Sequence, residues 1–137
     1  MDETLTFHRE LPVTVEEAWE RWTSAEGLAR WWWPQLPDTD YQVDVRADGE
    51  YRIGSAAAGF AVQGRYLEVD PPTRLVLTWQ WVDENGEAEP DTVTVNFQPS
   101  DDRTDLTVEH RMSDPDTGEN YRTGWTDVLD RLVALPD

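Results

Sequence analysis

The chain has no cysteine, no lysine, a single isoleucine (Ile53) and two histidines, His8 and His110, far apart in sequence. Without cysteine there is no disulfide, no thiolate zinc site and no cysteine nucleophile. Two distant histidines give poor support to a histidine-rich metal site, so no metal or cofactor is expected. Long apolar runs are also missing. None approaches the ~20 residues of a membrane span, and the opening MDETLTFHRE lacks the basic and apolar regions of a signal peptide. The expected location is the cytoplasm.

Positive charge is scarce as well. Twenty-nine acids face eleven bases, all arginine, for a net charge of −18. Such a field repels nucleic acid and anionic membrane, both of which are held through basic contacts to phosphate. Acidic chains are often disordered, but eight tryptophans and alternating apolar runs argue for a packed core. Abundant carboxylates without lysine point to adaptation to high salt, where a Debye length of about 3 Å quenches their repulsion. At 137 residues the chain is sized for a single domain, residues 1–137.

What is present has a clear order. LTFHREL alternates and predicts a strand from Leu5 to Leu11, ended by Pro12. Thr14 and Glu17 form a capping box opening a helix with Ala18, Trp19 and Trp22 on one face. Ser24 caps a shorter helix in which Leu28, Trp31 and Trp32 share a face, and Pro34 stops it. Strands follow at Tyr41 to Arg46 and Glu50 to Ala56, around an Asp48-Gly49 two-residue turn. Others are expected at Phe60 to Val69, Leu75 to Trp81, Thr92 to Gln98 and Thr104 to Arg111, with turns at 70–72 and 83–86. After Ser113-Asp114-Pro115 the period becomes helical, from about Thr117 to Leu135. This is α+β: about seven antiparallel strands, curved around one long C-terminal helix, with two short helices after the first strand. A hollow is expected beneath the short helices.

The sequence resembles the activator of Hsp90 ATPase homologue-like group of the START/SRPBCC superfamily, whose helix-grip fold is that of the birch pollen allergen. The carrying residues are Pro12…Ala18-Trp19, Leu28-x-x-Trp31-Trp32-x-Pro34, Asp44-x-Arg46-x-x-Gly49, the run Gly64 to Pro72 with Leu75 to Trp79, Thr104-x-Leu106-Thr107-Val108-x-His110, and Gly124-Trp125-x-x-x-Leu129-x-x-Leu132. Two departures stand out. Asp48 replaces the first glycine of the hairpin, and Trp33 stands where relatives usually keep a small residue, often glycine.

Each candidate residue has a structural and a functional reading. Trp31 and Trp32 pack the short helix or touch a ligand. Trp79 and Trp81 belong to the core or to a cavity wall, and Tyr66 offers its phenol to a ligand or to a backbone carbonyl. Arg46 pairs with Glu68, or its planar fork takes a ligand carboxylate. His110, alternating with Leu106 and Val108, is a hydrogen-bonded core histidine, a polar handle or a general base. Catalytic groupings are thin: Ser24, Ser55, Ser100 and Ser113 have no histidine nearby in sequence, leaving His110 and Tyr66 as acid–base candidates. Asp101-Asp102 and Asp114-x-Asp116 match no calcium loop.

The resemblance implies a small-molecule-binding protein with an apolar, aromatic-lined cavity between sheet and helix. The expected ligand contacts are Trp33, Arg46, Tyr51, Phe60, Tyr66, Trp79, Trp81, His110, Tyr121 and Trp125. The partner would be a small hydrophobic or aromatic molecule, such as a lipid or polyketide, bound by a monomer or weak homodimer. Two alternatives remain: a polyketide cyclase- or aromatase-like enzyme using the same cavity, and a co-chaperone stimulating a chaperone ATPase. Trp33, forced out of the helix by Pro34, is expected at the cavity mouth.

Overall fold

Alternation along the chain becomes a single antiparallel sheet with one face turned inward. The computed structural model describes residues 3–36, 38–112 and 118–135. Its elements are β1 (Glu3–Leu11), α1 (Val15–Thr23), α2 (Ala25–Ala29), β2 (Asp40–Val43), β3 (Glu50–Ser55), β4 (Phe60–Asp70), β5 (Arg74–Asp83), β6 (Gly86–Glu87), β7 (Asp91–Ser100), β8 (Arg103–Met112) and α3 (Gly118–Ala134). The strand order is β1-β8-β7-β5-β4-β3-β2, with the short β6 pairing on β5. This is the helix-grip architecture.

Period-two patterning decides which side chains enter the core. Leu75, Leu77 and Trp79 of β5, Val93, Val95 and Phe97 of β7, and Leu106, Val108 and His110 of β8 are all buried. The helical stripe Trp125, Val128, Leu129 and Leu132 of α3 closes over them. A salt bridge from Arg9 on β1 to Asp130 on α3, at 3.6 Å, marks where helix and sheet edge meet. No helix among the described residues is long and apolar enough to cross a membrane.

The short helices start where their caps require. Thr14 accepts the amide of Glu17, and the Ser24 hydroxyl accepts the amide of Gly27 at 2.9 Å. α2 ends at Ala29, earlier than the spacing of Leu28, Trp31 and Trp32 suggests. The two tryptophans nevertheless stay inward, because the amides of Trp31 and Trp32 both return to the Leu28 carbonyl in the turn that follows.

Two expectations are corrected. The connection from β2 to β3 is not a two-residue turn: it runs from 44 to 49, with Asp48 at φ 67°. The Asp48 amide donates to the Tyr66 carbonyl and Tyr66 donates back to Gly49, so this loop is docked on β4. Glu68 does not pair with Arg46. It pairs with Arg74, while Arg46 takes Asp44, each at 2.9 Å. Register explains the exchange, since Arg74 pairs with Asp70 across β4 and β5, two positions from Glu68. As expected, the sheet has about seven strands along its path, with the two-residue β6 added on β5. The turn at 113–115 and the Asp114-x-Asp116 pair lie outside the described residues.

Candidate functional site

Three consecutive tryptophans leave α2 in three different environments. Trp31 is fully buried, and its indole N–H donates to the Arg21 carbonyl at 3.0 Å, tying the short helices together. Trp32 is buried too, edge-on to Trp125 at 5.4 Å and tilted against Trp79 at 5.5 Å. Its carbonyl accepts the Tyr41 hydroxyl, which anchors this loop to β2. Trp33 is only half-buried and has φ 54°, a left-handed conformation that glycine adopts freely. For a bulky L-residue it costs roughly 1–2 kcal/mol. The small residue that the family resemblance implies here would fit that backbone, and tryptophan holds it under strain.

The strain places a ring at the mouth of a cavity of about 420 Å³. Its walls are Trp32, Trp33, Phe60, Trp79, Trp81, Asp83, Ala88, Tyr121, Gly124, Trp125 and Val128. Trp33 meets Phe60 edge-on at 4.8 Å and Trp81 at 6.1 Å, and Phe60 stacks on Trp81 at 5.1 Å. On the opposite wall α3 presents Gly124, and a Cβ built there would touch nothing within 4 Å. A helical glycine beside open space leaves the wall recessed. The volume falls within the range of small-molecule sites, roughly 300–1,000 Å³.

Behind the wall is a buried polar relay. The Trp125 indole N–H donates to His110 Nδ1 at 2.8 Å, and His110 Nε2 lies 2.8 Å from Asp91 Oδ2. Two donors cannot face each other, so Nδ1 carries the lone pair and Nε2 the proton given to Asp91; the tautomer follows from this bonding pattern. The His110 ring is fully buried and stacks on Tyr121 at 4.9 Å. Both nitrogens are engaged, so the relay orients Trp125 and Tyr121, two side chains that line the cavity.

Six of the ten residues expected to contact a ligand meet at this cavity: Trp33, Phe60, Trp79, Trp81, Tyr121 and Trp125. His110 sits one layer behind. Tyr51 and Tyr66 lie deeper, their rings 5.5 Å apart around a separate void of only about 30 Å³. The Tyr51 hydroxyl donates to the Thr78 carbonyl at 2.6 Å. Burial pushes the phenols of both Tyr51 and Tyr66 well above the ordinary tyrosine range, with smaller contributions from Tyr66 on Tyr51 and from Asp44 on Tyr66. Arg46 is largely exposed in an outer groove with Asp44, Asp48 and Glu50, away from the cavity.

Sequence reasoning missed Asp83, Ala88, Gly124 and Val128 as lining residues, Asp91 as the partner of His110, and buried Arg21. Asp91 had a usable signal, because it opens the strand paired with the one that carries His110. Ser55 hydrogen-bonds Asp38 at 2.6 Å, and this bond and the Ala57 amide hold the Asp38 carboxyl below its usual range. That is a loop clamp without a histidine. Among the described residues no three His, Cys, Asp or Glu side chains gather as metal ligands. A wider depression of about 650 Å³ on the sheet's outer face is open to solvent and lined by polar groups such as Arg52, Gln63 and Gln80. It lacks the enclosing aromatic walls of the inner cavity.

Known proteins agree with this architecture. The structure is similar to protein CV1439 of Chromobacterium violaceum, with 29% identity, a TM-score of 0.77, and 98% and 99% of the two chains covered. It is similar to an Hsp90 activator of Plasmodium falciparum, with 22% identity, a TM-score of 0.76, and coverage of 94% and 92%. It also matches DynU16, a protein of the dynemicin biosynthetic locus, with 19% identity and a TM-score of 0.80 over 97% of this chain and 46% of that one. No curated protein matches the chain. The sequence profile described as Activator of Hsp90 ATPase homolog 1-like protein matches residues 12–136, and the chain belongs to that family.

Proposed function

We propose that this protein binds a small hydrophobic or aromatic molecule in the cavity between β5, α3 and the Trp32-Trp33 loop. The observation that carries the reading is the lining itself: seven aromatic side chains surround about 420 Å³, with the wall recessed at Gly124. Burial of apolar ligand surface against those rings supplies affinity. The Asp91–His110–Trp125 relay holds one indole and one phenol ring in fixed orientation, so little side-chain freedom is lost on binding.

An enzymatic role in the same cavity has less support. The lone pair of His110 is taken by Trp125, and Tyr66 lies at the other void. The dynemicin-locus neighbour shares the fold only. A co-chaperone role has the Plasmodium activator as its support, again through fold. The acidic, lysine-free composition is read as adaptation to concentrated salt, and a urea midpoint that did not rise with KCl would end that reading.

The test is native mass spectrometry of protein purified gently from its host, followed by tryptophan quenching across a panel of lipids and polycyclic aromatics. A co-purified small molecule, or saturable quenching at one-to-one stoichiometry, is expected. Blank results in both would remove the proposal.

A further inference from the structure

The mouth of the cavity differs in chemistry from its floor. Trp79, Trp125 and Val128 below offer no charge, whereas the rim combines three half-buried rings with one carboxylate. Asp83 is the single charged side chain among the described lining residues. Its Oδ2 accepts the Trp81 indole N–H at 3.0 Å and its Oδ1 accepts the Asn85 amide at 2.8 Å. Both bonds fix the carboxylate beside the ring faces and leave further lone pairs on each oxygen.

Ring orientation matters as much as proximity. Trp33 is nearly perpendicular to Trp81, at 87°, while Phe60 lies within 28° of it. The rim is therefore a corner made of π surfaces in two orientations. Aromatic faces carry negative electrostatic potential, which attracts cations lying over them. Donation from the Trp81 N–H to a carboxylate pushes electron density into that indole and strengthens its face. No Lys or Arg is present among the described lining residues to compete for Asp83. A second carboxylate, Asp91, lies buried behind His110. The whole chain, at −18, enriches cations around the opening.

From this geometry we infer that the preferred ligand is an amphiphilic cation: an apolar body for the aromatic floor, carrying an amine or quaternary ammonium group held at the rim by Trp33, Phe60, Trp81 and Asp83. A neutral hydrocarbon of the same shape fills the floor and wastes the rim. An anionic lipid or carboxylic acid places like charge against Asp83 and is disfavoured. This inference rests on the ligand-binding reading above and narrows its ligand class.

The test compares two probes of nearly identical shape, benzyltrimethylammonium and its carbon isostere neopentylbenzene, by tryptophan quenching of the full chain. Molar KCl screens the diffuse field of the surface to about 3 Å while leaving the rim contacts in place. The ammonium probe is expected to bind about ten-fold tighter or more, a factor within reach of a partly desolvated cation–π contact plus a fixed carboxylate. Asp83→Asn, which keeps an acceptor for Trp81 or Asn85, should lower affinity for the ammonium probe far more than for neopentylbenzene, removing most of that preference. Retained neutral binding also reports that the variant is folded. Should Asp83→Asn not fold, Phe60→Leu, apolar but without a π face, should weaken the ammonium probe more than the neutral one. Equal affinity for the two probes, tighter binding of neopentylbenzene, or a preference indifferent to both substitutions would overturn the cationic assignment and leave the cavity reading standing. Binding of neither probe would overturn both.

Discussion

Trp31 and Trp33 are two residues apart, yet they belong to opposite regions of the molecule. At the closed end, Trp31 is fully buried, tilted on Trp22 at 4.8 Å, with its N–H satisfied by the Arg21 carbonyl. Beyond its partner Trp22, the void shared with Tyr51 and Tyr66 is only about 30 Å³. At the open end, Trp33 sits half-buried on a left-handed backbone beside a cavity of about 420 Å³. One region is built for stability and has regular geometry. The other accepts a strained backbone, a helical glycine and unfilled space, which are features a stability-driven core would remove. The contrast is what the proposed binding site at the open end rests on.

Substitutions should separate the two regions. Trp31→Ala is expected to have the largest effect, about 3–5 kcal/mol, because a fully buried indole leaves a cavity where neighbours cannot collapse; urea unfolding measures it. Asp91→Ala comes next. It strands the His110 N–H in the interior at a cost of about 1–3 kcal/mol, and frees the Trp125 and Tyr121 rings as well. Chemical denaturation gives the first effect, and a broadened Trp125 indole resonance the second.

A pH titration probes the buried tyrosines, chiefly Tyr51 and Tyr66 and to a lesser degree Tyr41. Burial raises the phenol pKa values of Tyr51 and Tyr66, so the folded state retains protons that the unfolded chain releases. Their contribution is full below the ordinary tyrosine pKa of about 10 and is lost as pH rises above it, at about 1.4 kcal/mol per tyrosine for the first unit. Urea midpoints measured across that range should fall, and Tyr66→Phe should flatten the slope.

Smaller effects on stability belong to the open end, where the effects on binding are large. Gly124→Leu should stabilise the fold by roughly 0.5–1 kcal/mol, since it removes a helical glycine and fills open space. The same side chain occupies the cavity, so probe binding should vanish. Trp33→Gly should change stability by no more than about 1 kcal/mol, because relief of the left-handed strain offsets lost contacts with Phe60 and Trp81. Probe affinity should nevertheless fall several-fold. Thermal melts paired with quenching titrations check both variants; a loss of stability and binding in parallel would erase the distinction between the regions.

Much of this was legible in the sequence, and the limits have physical causes. Period-two alternation assigned β5, β7 and β8 and the inward side chains Leu77, Val95 and Val108, because one buried face forces that pattern. The inward position of His110 followed from the same alternation. Its partner did not, since Asp91 comes from a neighbouring strand and is found only through register. Arg46 and Glu68 looked like a pair in sequence, but cross-strand register gave Glu68 to Arg74 and left Arg46 to Asp44. Trp33 was legible as an anomaly before Pro34, whereas its left-handed backbone is a property of the folded loop. Asp83 read as a turn residue, whereas it is the last residue of β5, paired with Phe60 of β4; its place on the cavity rim follows from that register.

Indole N–H resonances offer the most direct test of the central claim, because the chain carries eight tryptophans spread across both regions. Titrating 15N-labelled protein with benzyltrimethylammonium should shift the signals of Trp33, Trp79, Trp81, Trp32 and Trp125 with one common affinity. Trp31, hydrogen-bonded at the closed end, and Trp19, packed on Phe97 at 5.5 Å, should stay in place. Shifts centred on Trp31 or Trp19, or none at the five cavity indoles, would contradict the assignment of the open end as the binding site.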